Sequence, residues 1–565
     1  MSSFETRRAD IRRLAARKAA ELPRRDSGFW FHADLRDNFY LAVHLFVHSL
    51  DVRQEEGTGD EANAMDLAAG VISKVMALQD QNPQSPMYGH WPLNLGEDPA
   101  AAKPNALPVE LMGCLVALFY SRYGRELPPQ LKSDLSLALT HIYQSEVYRK
   151  PLQQMNHHEA KHTALKMLLG HLFDDRELLS EGIDCARRML AHVRRYGFKE
   201  YGSLPWHWHW IQAFTCVWEV VDDTGARAVA EEMLVYLWEL RADYYLKGIW
   251  AGPHSREWPH DAPRDNNTLM DYIQFGDFPE PVDIPRLEGA GLYAYQIPEY
   301  VKNKAVNRSG ETELRRTILI TDAEGKDIEE VHSYTFITPS YAAGGMYERR
   351  EEFDNEQHRW DISLPLTTVT SGVNQAYFFH PGKKYKEGDD RHASDFGEVL
   401  LHQSTAVALY ALPSEADNRI VGCLPPGEWV FESSAGFGLI GDVYIAYSTM
   451  QPAWTEQKPD RVSVRSEGAI HGVVMEALSR EEARTLGIAS LQQLRDRWMS
   501  RAPLFHTFAA ADKPLTELTV NHTTLRGAEL FLGLAVQHDS DKGCRLIRRE
   551  RTIQGSPVTF EQYRI

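Results

Sequence analysis

The chain has 565 residues, enough for two or more domains that each bury a core. Its formal net charge is −18, and such an acidic chain is a poor candidate for general binding to nucleic acid or to anionic membranes. An anionic substrate would therefore need a local basic patch. Five scattered cysteines without a C-x-x-C spacing predict reduced thiols rather than a disulfide framework.

The N-terminal segment, residues 1–25, is rich in arginine and lacks the apolar core of a secretory signal. The sequence also lacks an apolar run of about 18 residues, so no membrane span is predicted. We therefore expect a cytoplasmic protein. The segment itself is predicted to be a solvated amphipathic helix, with a basic arm as the alternative.

The first half of the chain has the pattern of consecutive helices. Stop signals such as Gly124 followed by Pro128 and Pro129 separate the segments. Eight helices with short connections predict antiparallel hairpins, which can stack into a bundle, a solenoid or a closed toroid. Apolar residues recur at helical spacing at 37–51, 62–80, 108–124, 129–148, 158–173, 176–197, 210–223 and 226–246.

The pattern changes near residue 300. Short β-rich segments separated by Gly, Pro and Asp predict a large antiparallel sheet or sandwich, with one helix inserted at 479–500. The Pro- and Asp-rich segment 252–300 is predicted to be a linker packed on both domains. We thus expect a helical domain with its linker over 1–300 and an antiparallel β-sheet domain over 301–565. The β-rich segments lie at 312–325, 330–347, 358–370, 373–381, 405–413 and 441–450.

Residues His158 to His162 form the pattern H-E-x-x-H. On a helix, two histidines at this spacing share one face and can hold zinc while the Glu acts as general base, as in metalloproteases. Here the motif lies among consecutive helical hairpins, far from the strands that would hold a peptide. We therefore expect no catalytic zinc at His158 and His162, and a zinc-dependent hydrolase is kept as an alternative.

Three connections in the helical half concentrate polar and aromatic residues, namely 155–162, 197–210 and 250–261. Helix interiors rarely need such side chains. Loops at one end of an array of hairpins can converge on one cleft, and functional residues often lie on such loops. The three connections are therefore predicted to form one site.

This order of segments resembles that of the toroid-type polysaccharide lyases, the group of heparinase II/III, chondroitin and alginate lyases. In those families an Asn on one helix is followed by a loop with a catalytic His or Tyr, and then by an Arg-containing segment that often ends in Ser-Arg. The matching residues here are Asn156, the loop 201–209 and Ser255-Arg256. The resemblance implies an α+β multidomain fold, in which an incomplete α/α toroid of four to five hairpins precedes an antiparallel β-sandwich or β-sheet domain.

The resemblance also implies cleavage of a uronate-containing glycan by β-elimination. The proton removed at C5 is very weakly acidic, so donors must offset the neighbouring carboxylate and hold the enediolate. A base must reach C5, and an acid must protonate the leaving oxygen. Asn156 with Arg256 is the predicted neutralising pair. Tyr201, His207 and His209 are the candidates for base and acid, and the sequence does not choose among them.

Further residues are predicted to contact the substrate, with tryptophans as walls on which sugar rings stack. The run Trp206-His207-Trp208-His209 departs from the resemblance, which leads us to expect tyrosines there. The predicted contact residues are His157, His158, Glu200, Trp206, Trp208, Trp250, His254, His358 and Arg359.

Simpler structural roles and other functions compete with this interpretation. Asn156 is also a good helix N-cap, and the alternating Trp and His residues could simply pack a loop. A glycoside hydrolase could use Glu200 with Asp261 or Glu257, and a non-enzymatic carbohydrate-binding protein is the third option. We expect an acidic oligosaccharide as the partner, no nucleic acid or membrane, and no cofactor. A structural metal ion and a homo-oligomer are both compatible with the sequence.

Overall fold

A computed structural model describes residues 3–56, 61–254, 258–326, 328–349, 358–413, 415–509, 515–539 and 543–565. Within these ranges helices dominate up to residue 306 and strands follow from residue 312. Among the described residues, no helix combines the length and the apolar character that crossing a bilayer requires.

The helices are α1 (Ser3–Glu21), α2 (Leu35–Glu56), α3 (Glu61–Ala77), α4 (Pro108–Tyr123), α5 (Pro129–Ser145), α6 (His157–Leu172), α7 (Arg176–Tyr196), α8 (Leu204–Val220), α9 (Thr224–Asp243), α10 (Leu269–Gln274), α11 (Glu299–Val306), α12 (Arg480–Thr485) and α13 (Leu491–Met499).

The strands are β1 (Trp91–Pro92), β2 (Pro104–Asn105), β3 (Tyr245–Leu246), β4 (Ile249–Trp250), β5 (Thr312–Ile320), β6 (Glu329–Ile337), β7 (Ala342–Met346), β8 (Trp360–Ser363), β9 (Gln375–Phe379), β10 (Gly397–His402), β11 (Thr405–Ala411), β12 (Arg419–Leu424), β13 (Glu428–Glu432), β14 (Ala435–Ile440), β15 (Val443–Thr449), β16 (Ala453–Gln457), β17 (Val462–Glu467), β18 (Ile470–Ser479), β19 (Leu504–Ala509), β20 (Leu515–Thr523), β21 (Glu529–Asp539), β22 (Gly543–Ile553) and β23 (Ser556–Pro557).

The helical half is an incomplete α/α toroid, which confirms the predicted fold class. Its inner helices α4, α6 and α8 pack on one another and α2 packs on α4, while α3 packs on α5 and α7 on α9 in the outer layer. The inner helix α8 is buried throughout residues 204–217, as expected of a helix that is apolar on all sides. The outer helix α7 instead alternates a buried face with an exposed charged face. Because hairpins alternate in direction, the first turns of the inner helices all lie at one end of the toroid.

The β-sheet half is a three-layered antiparallel sandwich. An eight-stranded sheet, in the order β16-β17-β12-β9-β8-β7-β6-β5, packs on one face of a six-stranded sheet, in the order β10-β11-β18-β15-β14-β13. The five-stranded sheet β19 to β23, together with α12 and α13, covers the other face of the six-stranded sheet. Strand β11 lies in the middle layer, and its residues 405–411 are buried on both faces. This burial explains its continuous apolar sequence.

The long helices of the toroid end at Asp243, and Gly248 and Gly252 adopt positive φ angles in the connection that follows. The short helices α10 and α11 come after this connection. One sequence-based element is corrected by the structure. The single helix predicted at 479–500 is two helices, α12 and α13, since Gly487 adopts a φ of 75° between them and Ser490 caps the second. The predicted domain boundary at residue 300 falls in the first turn of α11.

Candidate active site

The N-terminal parts of α6 and α8 bring three histidines together at one end of the toroid. We call His157, His158 and His209 the cleft histidines. The ring centroids of His157 and His158 lie 4.0 Å apart, and those of His157 and His209 lie 5.4 Å apart. Each of the three contacts a different buried glutamate, so the site consists of three His–Glu pairs.

His158 is the most accessible cleft histidine, with 38 % of its side chain exposed. Its Nδ1 lies 2.8 Å from Oε2 of Glu110, at the start of α4. The Nζ of Lys161 lies 2.5 Å from the same oxygen. Although burial raises the pKa of Glu110, the Lys161 ammonium and His158 hold it well below its usual value. Glu110 is therefore an ionised acceptor that fixes Nδ1 of His158 as a donor, so Nε2 is the ring nitrogen that is not used by Glu110.

His157 has the same arrangement, with a different carboxylate. Its Nδ1 lies 2.6 Å from Oε1 of Glu200, and Oε2 of Glu200 accepts a hydrogen bond of 2.7 Å from the indole of Trp210. The ring of Trp206 stacks on His157 at 5.2 Å. Burial lowers the pKa of His157 well below its usual value, so this imidazole is neutral at physiological pH.

His209 is held by residues of the segment 252–300, the predicted linker. Its Nε2 lies 3.0 Å from Nη2 of Arg286 and 3.3 Å from Oε1 of Glu288. Arg286 and Glu288 pair at 2.8 Å, and Gln212 donates a hydrogen bond to the other oxygen of Glu288. Since an arginine can only donate, Nε2 of His209 acts as the acceptor. Burial lowers the pKa of His209 to about 4, which keeps the ring neutral.

Two aspartates that interact electrostatically with Arg286 have raised pKa values. Burial raises the pKa of Asp261 to about 7 and that of Asp37 to about 6, with Arg286 opposing the shift in both cases. Asp261 accepts hydrogen bonds from the backbone N–H of Trp258 at 3.2 Å and from Asn267 at 3.4 Å. The site thus combines neutral histidines, ionised glutamates and carboxyl groups that can carry a proton near neutral pH.

Asn156 is the N-cap of α6. Its Oδ1 accepts hydrogen bonds from the backbone N–H of His158 at 3.1 Å and of Glu159 at 3.2 Å. The competing capping interpretation therefore describes a real role of this side chain. Because Oδ1 is occupied by the cap, the amide Nδ2 is the group through which Asn156 can serve a substrate.

The predicted roles of His207 and Trp208 at the cleft are corrected by their burial. His207 has no exposed surface and packs among Phe198, Trp208 and Trp250. Trp208 is 2 % exposed, and its indole donates to the carbonyl of Asn267 at 3.1 Å. Both residues lie on the inward face of α8, where they have no surface for a sugar to contact. The competing interpretation, a packed segment of Trp and His, describes these two residues.

Tyr201 and Trp250 line a second space, at the seam between the two domains. Tyr201 packs against the sheet residues Ile318 and Val331, whereas its neighbour Glu200 reaches α6. Trp250 stacks on Tyr244 at 5.2 Å, and both rings border a cavity shared with β5 and β6. The structure thus places Tyr201 and Trp250 at this cavity and not among the cleft histidines.

His254 and His358 also lie at the seam, in a buried polar cluster around Asp361. Nδ1 of His254 lies 2.6 Å and Nε2 of His358 lies 3.0 Å from Oδ2 of Asp361. Nε2 of His254 lies 3.4 Å from Asp265. Although burial lowers the pKa of His254, Asp361 and Asp265 hold it well above its usual value. His254 is therefore an imidazolium that joins the linker to β8.

Arg359, another predicted contact residue, has a structural role. Its guanidinium donates to the carbonyl oxygen of Met346 at 3.1 Å and to those of Tyr347 and Gly397. It also lies 3.6 Å from Glu398. These contacts tie the loop before β8 to its neighbours, so the guanidinium of Arg359 is already used. Arg256, the predicted second neutralising residue, lies outside the described residues.

Within the described residues, one group of side chains has the composition and spacing of a metal site. The candidate ligand atoms of His254, His358 and Asp361 all lie within 4.8 Å of one another. Two imidazoles and a carboxylate are a donor set that suits zinc. In the present arrangement, however, Nδ1 of His254 and Nε2 of His358 both lie at hydrogen-bond distance from Oδ2 of Asp361. A metal ion could bind these residues only by replacing these hydrogen bonds.

The H-E-x-x-H motif has a different geometry from that of a zinc protease. His158 and His162 both point to Glu110, with Nε2 of His162 at 3.5 Å. The carboxylate of Glu159 accepts hydrogen bonds from the backbone N–H groups of Gln153, Gln154 and Met155 at 2.8 to 2.9 Å. Glu159 therefore holds the preceding loop and is not placed as a general base.

Metal analysis of the purified protein tests this interpretation. We expect no stoichiometric zinc at His158 and His162, because the Lys161 ammonium already neutralises Glu110 between them. A zinc content near one per chain that disappears in His162→Ala, together with activity, would instead make the protein a zinc-dependent hydrolase. The matched variant His171→Ala, at the opposite end of α6, should leave the metal content unchanged.

The buried histidines predict how stability depends on pH. Burial lowers the pKa of His207 to about 3 and that of His162 to about 4, against about 6.5 in the unfolded chain. Below that pH the unfolded state binds more protons, so the free energy of unfolding should fall as pH drops from about 6.5 towards 4. Buried carboxyl groups with raised pKa values, such as Asp261, Asp37 and Asp271, have the opposite sign, since they favour the folded state over this range. The histidines with lowered pKa values outnumber them.

The variant His207→Phe isolates one of these groups in an aromatic pocket. Its unfolding free energy should depend less steeply on pH, by about 1.4 kcal/mol per pH unit in that range. Thermal or urea unfolding at several pH values measures the slope. His171→Phe, on a partly exposed side chain, is the control that should keep the original slope. An unchanged slope in His207→Phe would contradict the buried neutral state of His207.

Several residues of the cleft were missed from the sequence. Glu110, Lys161 and Gln212 stand within helical segments whose apolar period marks them only as helix, and Arg286 and Glu288 lie in the segment assigned to a linker. One usable signal is present at Glu110, since an acidic residue inside the apolar run "PVELMG" must be paired if it is buried.

Comparison with known proteins gives matches among solved structures only. No protein-family model matches the chain, and no curated protein does. The structure is similar to that of heparinase III, with 9 % identity and a TM-score of 0.41 over 89 % of this chain and 84 % of that chain. A second heparinase III matches with 10 % identity and a TM-score of 0.35 over 91 % and 85 %. Heparan sulfate lyase HepC from Pedobacter heparinus matches with 10 % identity and a TM-score of 0.30 over 94 % and 90 %.

Proposed function

We propose that this protein is a carbon–oxygen lyase that cleaves a uronate-containing oligosaccharide by β-elimination. The observation that carries the proposal is the pair formed by His158 and Glu110: an accessible imidazole whose Nδ1 is held by a buried, ionised carboxylate. Such a pair presents an unprotonated Nε2 to the cleft and can accept a proton from carbon.

The remaining groups of the cleft supply the charge that this reaction needs. Arg286 is 20 % exposed and lies beside His209, and Asn156 has its amide Nδ2 left over from capping. These donors would bind the uronate carboxylate and offset its charge, which makes the C5 proton more acidic. Trp206, stacked on His157, would form the adjacent wall.

In the proposed step, Nε2 of His158 takes the proton from C5. The electron pair of that C–H bond moves into the carboxylate to give an enediolate, held by Arg286 and Asn156. When this electron pair returns from the enediolate, a C4–C5 double bond forms and the bond from C4 to the leaving oxygen breaks. The imidazolium of His158 then gives its proton to that oxygen, so one residue serves as base and then as acid.

A glycoside hydrolase is the second candidate, because Asp261 has a pKa of about 7 and could act as a general acid. Glu200, its predicted partner in that reaction, already binds His157 and Trp210. Glu110 and Glu288 are held ionised by neighbouring cations. A hydrolase would therefore have to recruit a carboxylate that is already paired, which makes it the less favoured function.

The test is a panel of uronate-containing oligosaccharides assayed in two ways at once. A lyase produces both new reducing ends and ultraviolet absorbance from a double bond conjugated with a carboxylate. A hydrolase produces reducing ends without that absorbance. A carbohydrate-binding protein produces neither, but its melting temperature rises with the ligand. Reducing ends without absorbance on every active substrate would overturn the lyase proposal.

A further inference from the structure

A cavity of about 310 Å³ lies at the seam of the two domains, separate from the cleft histidines. The C-terminal ends of α7 and α9 form one wall, and β5 and β6 form the other. Its aromatic lining consists of Phe198, Tyr201, Tyr236, Tyr244 and Trp250. This volume is at the lower end of the range for small-molecule sites, and five rings around one space are typical of a binding pocket.

Polar groups stand at the rim of the same cavity. Asp243 lies 2.7 Å from Nζ of Lys304 and 2.9 Å from Nη2 of Arg316. Thr317 and Ser333 are also in the lining. Pockets that recognise small molecules combine apolar walls with a few placed polar groups in this way. Because two cations meet one carboxylate, this part of the rim disfavours a cationic ligand.

We propose that this cavity binds a single pyranose ring. The aromatic side chains offer apolar surface for the C–H side of a sugar, and the rim offers hydrogen-bonding partners for its hydroxyl groups. The volume suits one ring rather than a chain, so the occupant would be a monosaccharide or the terminal ring of an oligosaccharide. This binding proposal depends on the proposed function in one respect only, namely that sugars are chosen as the probes.

The cavity and the cleft share one wall. Residues 198–202 connect α7 to α8, and Glu200 from this segment binds His157 while Phe198, Tyr201 and Gly202 line the cavity. A ring bound in the cavity would therefore rest on the same segment that orients one of the cleft histidines. The two sites are neighbours, but each has its own lining.

The experiment measures binding without requiring turnover. Glucose and glucuronate are titrated separately at millimolar concentration and followed by saturation-transfer NMR. We expect binding of at least one of them to wild-type protein, and equal binding to His158→Gln, since His158 is not part of the lining. Failure of the lyase proposal would leave this binding intact, so the two proposals fail independently.

Two variants locate the binding. Leu240→Trp fills the cavity from α9 and Thr317→Trp fills it from β5, and each should weaken binding at least tenfold. Leu137→Trp is the matched control, because that side chain lies exposed on α5, outside the lining. The second filling variant decides the question if the first does not fold. Absence of binding to both sugars, or binding that persists in a folded filling variant, would overturn the proposal.

Discussion

Replacing His158 by glutamine should lower kcat by about 10²–10⁴-fold on the active uronate substrate, the usual contribution of a general acid–base residue. Glutamine removes the imidazole lone pair but can still donate a hydrogen bond to Glu110, so the buried carboxylate keeps its partners. Since 38 % of the His158 side chain is exposed, the free energy of unfolding should change by only about 0.5 kcal/mol. Steady-state kinetics and urea unfolding measure the two effects.

The matched control is His171→Gln, the same substitution near the other end of α6. It should leave both kcat and stability close to the wild-type values. If His158→Gln kept wild-type turnover, the proton would have to be removed by another group. His157 and His209, the remaining cleft histidines, would then be tested by the same substitution.

Replacing Asn156 by serine should separate its two functions. Serine caps a helix about as well as asparagine, but it lacks the amide that would hold the enediolate. We expect kcat to fall about 10²–10³-fold, the typical effect of losing one such donor, with little loss of stability. Asn156→Ala should lose a similar amount of kcat and in addition about 1 kcal/mol of stability, because the cap is gone as well.

Comparison of the two variants decides the role of Asn156. If Asn156→Ser keeps wild-type turnover and Asn156→Ala lowers only the melting temperature, the residue is a cap and takes no part in the reaction. Thermal melts and kinetics on the same preparations supply both readouts. The two variants can separate these roles because Oδ1 of Asn156 accepts from two backbone N–H groups, while Nδ2 is left for a substrate.

The fold was predictable because apolar residues recur at regular spacing in its helices and strands. The helical spacing in 176–197 corresponds to α7, and the continuous apolar run in 405–411 corresponds to a strand buried on both faces. The errors occurred where one residue changes the backbone direction. Gly487, for example, divides the late helix into two. Such positive-φ positions are weak signals in a sequence, because glycine is also common where it has no such role.

The candidate site was predictable only as a set of loops. His157, His158 and His209 lie together, yet His207, two residues before His209, lies in the core. On a helix, residues two apart point in different directions, so a run of alternating Trp and His cannot all face one cleft. The partners Arg286 and Glu288 were missed because they reach the site from a distant segment, and only the packing of the domains brings them there.

The buried cluster at the domain seam has a consequence for how the protein unfolds. His254 and Asp265 of the linker are bound to Asp361 and Asn374 of the sheet domain at 2.6 and 3.0 Å. Removing one partner while the seam stays closed would leave a buried charge unpaired, at a cost of several kcal/mol. We therefore expect Asp361→Ala to destabilise the contact between the linker and the sheet domain, and with it the docking of the toroid on the sandwich.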